Sequence, residues 1–259
     1  MISLAQVDVV AWVTSILWPF LRIGAMLMTA PLFGARYTLV RARVLLGLFI
    51  AMLIAPVLPP PPAIDPLSAA GLLITVQQIL IGAATGFILQ MVFSAAAQAG
   101  DKVAMSMGLG FATMIDPTSG AQTPVVSQHY LAMTTLLFLV FDGHLVFIEV
   151  MVESFRLLPV AVDGLTREGL WQLVTWGSNM FAGALLIALP AMVSLLVVNL
   201  AFGVITRAAP QLNIFAVGFP MTLTLGFILL IVTLPALVPQ LSDLLLAGFD
   251  RMALVLGGG

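Results

Sequence analysis

The sequence predicts an all-α membrane protein, and three observations carry that reading. Hydrophobic residues make up 61% of the 259 and charged residues only 8%, against about 25% charged in an ordinary soluble domain. A soluble core of this size cannot hide so much apolar surface, so lipid or a large protein assembly must cover it. Six apolar stretches follow one another, residues 9–33, 39–58, 67–99, 125–152, 170–206 and 214–246, and a membrane span needs about 20 apolar residues. Proline clusters late, with Pro190 in the fifth stretch and Pro220, Pro235 and Pro239 in the sixth. A buried proline frees a carbonyl one turn back, which neighbouring helices must satisfy. The C-terminal third is therefore expected to be kinked helices, folded as hairpins and packed against protein rather than bare lipid.

The first stretch holds Pro19 and Arg22. An Arg at mid-bilayer costs roughly 2.5–3.5 kcal/mol, which favours an ion pair between helices or subunits over snorkelling. Met1 to Asp8 lacks a basic n-region, so the first stretch is expected to stay as a helix. The second stretch is short unless it reaches back to Leu39, which takes in Arg41 and Arg43. Pro59 to Pro62 is a run of prolines that cannot be helix. In the third stretch Gly82 and Gly86 form a small-xxx-small pair, which lets a neighbouring backbone come close.

Between the third and fourth stretches lies Gly100 to Pro124, GDKVAMSMGLGFATMIDPTSGAQTP. Glycine and proline at this density argue against one continuous helix, yet the segment is too apolar for an ordinary solvated loop. Irregular backbone survives at membrane depth only where protein or a water-filled cavity satisfies its polar groups. Composition alone balances two readings evenly: a constriction among membrane helices, and a surface loop resting on the headgroups. Asp116 before Pro117 reads as a turn or cap residue.

Asp142, Gly143 and His144 interrupt the fourth stretch, with Glu149 and Glu153 following. Asp with His could make a proton relay or half a metal site. The other histidine, His129, is about four helical turns away, so an interfacial helix end is the better account. In the fifth stretch Asn199, Gly203 and Arg207 share one face. Arg207 also suits a helix C-terminus before Pro210, which leaves Asn199 unexplained.

Several classes are excluded. A net charge of -2 and the lack of a basic tail argue against nucleic acid. Without cysteine there is no disulfide and no thiolate metal ligand. No GxSxG or Walker A motif is present, so no catalytic, cofactor or metal residue is expected. If all six stretches span, Arg36, Arg41, Arg43, Lys102 and Arg207 fall on one side, which the positive-inside bias makes cytoplasmic, with the N-terminus outside.

Four motifs in order resemble a known family. They are RIGAMLMTAPLFG from Arg22 to Gly34; AGDK at Ala99–Lys102 with MGLGF at Met107–Phe111 and Asp116–Pro117; Gly143–His144 with Ser154, Phe155 and Pro159; and RAAPQLNIFAVGFP from Arg207 to Pro220. Together they are similar to the FliR family of flagellar export proteins, and the likeness covers nearly the whole chain. Asp101 departs from it, since glutamate is more usual there. Pro210 to Phe215, with Asn199 upstream, fits the flagellar branch better than its counterparts in virulence-associated type III secretion.

The resemblance implies a single FliR-like domain over 1–259, forming part of a helical export-gate assembly rather than a simple six-span bundle. It implies FliP and FliQ as partner subunits, FlhB as an associated protein, and unfolded flagellar proteins as cargo. The implied place is the bacterial inner membrane at the flagellar basal body. The segment 100–124 would then be a plug: Gly108 and Gly110 let it bend into the lumen, and Met105, Met107, Phe111 and Met114 seal it, with Asp116 and Pro117 in the same loop. Methionine conforms to irregular gaps, and an apolar constriction blocks ions by dewetting. Arg22, Asp101, Lys102, Asn199, Arg207, Gln211 and Asn213 are expected in subunit packing or ion pairs. The rival reading is a secondary transporter or channel for a small solute, coupled through Asp142, His144 or Asp101. The one-sided clustering of prolines counts against the paired broken helices of transporters.

Overall fold

Short polar signals set several helix ends. Ser68 caps the helix that begins at Ala69 by accepting from the Gly71 amide at 3.1 Å, after an Asx turn in which Asp65 accepts from the Leu67 amide at 2.9 Å. Thr166 caps the helix that begins at Arg167 in the same way, accepting from the Gly169 amide at 3.0 Å. The structure, a computed structural model, describes residues 4–32, 39–110, 125–209 and 214–257, with side chains from residue 11 in the first segment and residue 217 in the last. The helices are α1 (Leu4–Thr29), α2 (Val40–Ile54) with a 3-10 turn at Ala55–Val57, α3 (Ala69–Ser106), α4 (Val125–Val140), α5 (Gly143–Leu157), α6 (Arg167–Ala208) and α7 (Ile214–Val255). No strand occurs among the described residues.

The protein is an all-α membrane protein. Five of its helices are long and apolar enough to cross a bilayer, and α4 with α5 would make a sixth. The prolines do not end their helices: α6 runs on through Pro190, and α7 through Pro220, Pro235 and Pro239. Pro59 to Pro62 is non-helical, as its composition requires.

Three boundaries differ from the sequence expectation. The stretch expected over 125–152 is two helices, bent by 69° at their junction. Asp142 sits there in the left-handed region, at φ 54. Its carbonyl accepts from the Leu145 and Val146 amides at 2.8 and 3.1 Å, which starts α5. The third stretch does not end at Ala99 but stays helical to Ser106. Gly100 marks a close crossing rather than a break: a Cβ there would lie 2.5 Å from the Ser127 Cα. The last stretch does not end at Leu246 but continues to Val255, where Arg251 donates to Gln172 and stacks over the Trp176 ring.

The chain divides into two compact units. The first comprises residues 1–91, 142–177 and 246–259, and the second 92–141 and 178–245. In the first unit α1 packs on α2 and α3. The Gly82–Gly86 pair does what its spacing predicts: a Cβ at Gly82 would stand 2.9 Å from the Ala25 Cβ, and one at Gly86 2.6 Å from the Met26 carbonyl oxygen. Gly86→Leu is therefore expected to force α1 off α3 and cost about 1–3 kcal/mol or more by overpacking. A lower melting temperature of the detergent-extracted protein checks it, and an unchanged one would mean the crossing is loose. In the second unit one core joins Ala96, Ala99, Val103 and Met107 of the α3 end to Val126 and Tyr130 of α4, Ala188 and Leu195 of α6, and Leu237 and Leu241 of α7.

Candidate functional site

The end of α3 leads into the segment expected to be a plug, and it is held firmly. The Gly108 amide donates to the Met105 carbonyl at 3.1 Å, and the Leu109 amide to the Ala104 carbonyl at 3.0 Å. With Gly108 at φ 84 this is a Schellman stop, in which glycine takes the left-handed position without a Cβ penalty. Leu109 then folds back onto the core of the second unit. Gly110 has no such constraint, since a Cβ there would meet the Met105 Cγ at an ordinary 3.8 Å. The returning chain crosses α3 at Gly100, where the Ser127 hydroxyl donates to Asp101 Oδ1. Both ends of the segment are thus rooted in one core.

The two methionines on this stem point different ways. Met105 is 70% exposed, whereas Met107 is fully buried at 0%. Met107 lies against Gly226 of α7, where an added Cβ would stand 2.6 Å from its Cγ and 2.7 Å from its Cε. Phe111, Met114, Asp116 and Pro117 fall outside the described residues, as do Gln211 and Asn213.

Arg22 is fully buried in the first unit and ties three helices together. Its Nε donates to Gln78 Oε1 of α3 at 2.8 Å. Its Nη1 donates to the Ser154 carbonyl of α5 at 2.7 Å and to the Ser154 hydroxyl at 3.3 Å. The guanidinium carbon sits 4.2 Å from the Phe155 ring centroid, a cation–π contact. The expected interhelix contact is present, but the expected ion pair is not: among the described residues no carboxylate pairs with Arg22. Carbonyls and a ring face share its charge instead. Arg22 Nη2 and Gln78 Nε2 are buried donors with no hydrogen-bond partner among the described residues.

The remaining expected residues are spread out. Asn199 Oδ1 accepts from the Thr222 hydroxyl at 3.3 Å, across the α6–α7 hairpin. Gly203 faces open space, and Arg207 is exposed in the last turn of α6. Lys102 is half-buried. None of Asp101, Lys102 or Arg207 forms an ion pair among the described residues, where the ion pair present is Arg156 with Glu153 at 3.1 Å. Asp142 is exposed at the α4–α5 break, and no group of His, Asp and Glu among the described residues could hold a metal ion.

The outer surface of the long helices is apolar over most of their length. On α6 the exposed large residues run from Leu170 and Trp171 to Val204 and Ile205, and on α7 from Val217 to Leu254. At about 1.5 Å per residue, Trp171 to Val204 spans about 50 Å along the helix.

A family model described as bacterial export proteins, family 1, matches residues 13–247. A flagellar biosynthetic protein FliR from Pectobacterium carotovorum subsp. carotovorum is 40% identical over 257 residues, covering 99% of this chain and 98% of that protein. The chain belongs to the FliR family. A FliR from Escherichia coli (strain K12) is 38% identical, covering 98% of this chain and 97% of its own length. One from Bacillus subtilis (strain 168) is 32% identical over 82% of this chain and 83% of its own length.

Three residues of this FliR-family chain escaped the sequence reading: Gln78, Ser154 and Gly226. Gln78 is a buried polar residue in an apolar stretch, and that anomaly was visible. Ser154 was singled out only within a motif, because its contribution is mainly a backbone carbonyl. Gly226 is a lone glycine inside a helical pattern, where it costs about 1 kcal/mol against alanine; its reason lies in a residue more than a hundred positions away.

Proposed function

We propose that this chain is a non-enzymatic subunit of the flagellar protein export gate in the bacterial inner membrane. It assembles with FliP and FliQ subunits and associates with FlhB. Its segment 105–122 closes the pore through which unfolded flagellar proteins pass. The observation that carries this reading is the length of outward apolar surface on α6 and α7. A bilayer core is about 30 Å thick, and a helix tilted by 40° crosses it in about 39 Å. An apolar face of about 50 Å outruns lipid, so part of it needs protein cover, which partner subunits supply. The rooted stem below Gly110 supports the plug: a barrier that must hold against ions needs a fixed base. Within it the exposed Met105 faces the lumen, Gly108 turns the chain out of α3, and Phe111 and Met114 complete the seal. Arg207 and the open Gly203 face take part in subunit packing.

The test is extraction in mild detergent. The tagged chain is expected to elute as one large complex containing FliP and FliQ, and a strain lacking the chain is expected not to swim. Elution as a free monomer that takes up a small solute in vesicles would sink the gate and favour the transporter.

A further inference from the structure

We propose that Met107 and Gly226 are a size-matched positioning pair that sets where the gate segment leaves α3; this rests on the gate reading above. Met107 is the last residue before the Schellman stop, so its seat fixes the direction in which Gly108 and Leu109 turn. Its side chain lies along Gly226, with Cγ, Cε and Sδ at 2.6, 2.7 and 3.0 Å from where a Cβ would be. Any side chain at 226 therefore displaces three of its atoms at once. A glycine inside a helix gives up about 1 kcal/mol, and the packing of a fully buried methionine offsets it. The position of Gly226 is itself set one helical turn earlier, where Thr222 bonds to Asn199 of α6 at 3.3 Å. Asn199, Thr222, Gly226 and Met107 thus form one line of fixed contacts within the second unit. The α6–α7 hairpin carries the gate stem, and a shift of α7 moves the point at which the segment emerges.

The experiment uses three variants in the full chain within its assembled complex: Gly226→Leu, the double variant Gly226→Leu with Met107→Ala, and a deletion of Gly108 to Thr113. Two readouts are taken. One is ion permeability of the cell membrane. The other is the labelling rate, by a membrane-impermeant maleimide and read on the isolated chain, of a Met105→Cys reporter, which is the sole thiol of this chain because it has no cysteine of its own. Gly226→Leu is expected to raise ion leak toward that of the deletion and to change the labelling rate. The double variant, which returns the displaced volume, is expected to bring both back toward wild type. An assembled Gly226→Leu protein with wild-type leak and labelling overturns the pairing. So does a double variant that fails to assemble or behaves like the single. If the deletion does not leak, the gate reading falls, and the labelling rates alone still decide whether the pair positions the stem.

Discussion

Arg22→Ala is expected to destabilise the protein by roughly 3–5 kcal/mol, which is enough to remove most of the assembled complex from the membrane. Two effects add. A large, fully buried side chain leaves a cavity beneath Phe155. Gln78 Oε1, in a buried place, loses the donor that Arg22 supplies, at about 1–3 kcal/mol. The Ser154 carbonyl suffers less, since the Leu158 amide also donates to it at 3.0 Å. Charge alone is not what holds the site, because Arg22 has no counter-ion among the described residues and burying it is costly. Two companion variants separate these effects. Arg22→Met with Gln78→Leu fills the space without polar atoms and should recover much of the loss, as apolar replacement of buried charges often does. Gln78→Glu should raise stability above wild type, because a carboxylate offers the second acceptor that Arg22 Nη2 lacks and engages the guanidinium edge with both oxygens. Thermal aggregation of the detergent-extracted protein reads all three. An Arg22→Ala protein with wild-type stability would show that α1, α3 and α5 are held together elsewhere.

Removing Gly108 to Thr113 is expected to make membranes leak small ions while the complex still assembles. The core of the second unit ends at Met107 and Leu109 on one side and resumes at Val126 on the other, so the deletion takes little of what holds the fold. What it removes is the glycine turn and the apolar residues that follow. A hydrophobic constriction excludes ions by leaving no hydrated path, and cutting it away opens one. Growth and swimming should fail in proportion to the leak. An assembled deletion protein with unchanged conductance would take the segment out of the barrier.

Much of the architecture was legible because lipid imposes strict rules. Composition indicates a membrane protein and the Gly82–Gly86 spacing a close crossing, whereas Asp142–Gly143–His144 reads as an interfacial helix end within one stretch and not as a break between two helices. The failures share a cause. Gly100 looked like a helix breaker, yet a helix tolerates glycine where another backbone passes, and only the fold brings Ser127 there. Read as loop, the segment puts Met105 and Met107 in one seal. Once that stretch is helix, residues two apart differ by about 200° in direction, so one faces out and the other in. For Arg22 the sequence favours an ion pair, because charge pairing is a common solution inside a membrane; its partners among the described residues, an amide, a carbonyl and a ring, carry no charge to read.

The rooting of the flanking Leu109 and Val126 in a single core has a consequence for distance. An extended chain covers at most about 3.6 Å per residue. The 15 links between Gly110 and Val125 therefore span at most about 54 Å, out and back. Whatever conformation residues 111–124 take, none can stray more than about 27 Å from its moorings. On the proposed gate reading, the segment would work as a tethered flap rather than a cork. It can be pushed aside by a passing chain but not carried off with it, and its return is a local search that contacts on the 10–100 ns scale of short-loop closure would suffice to complete.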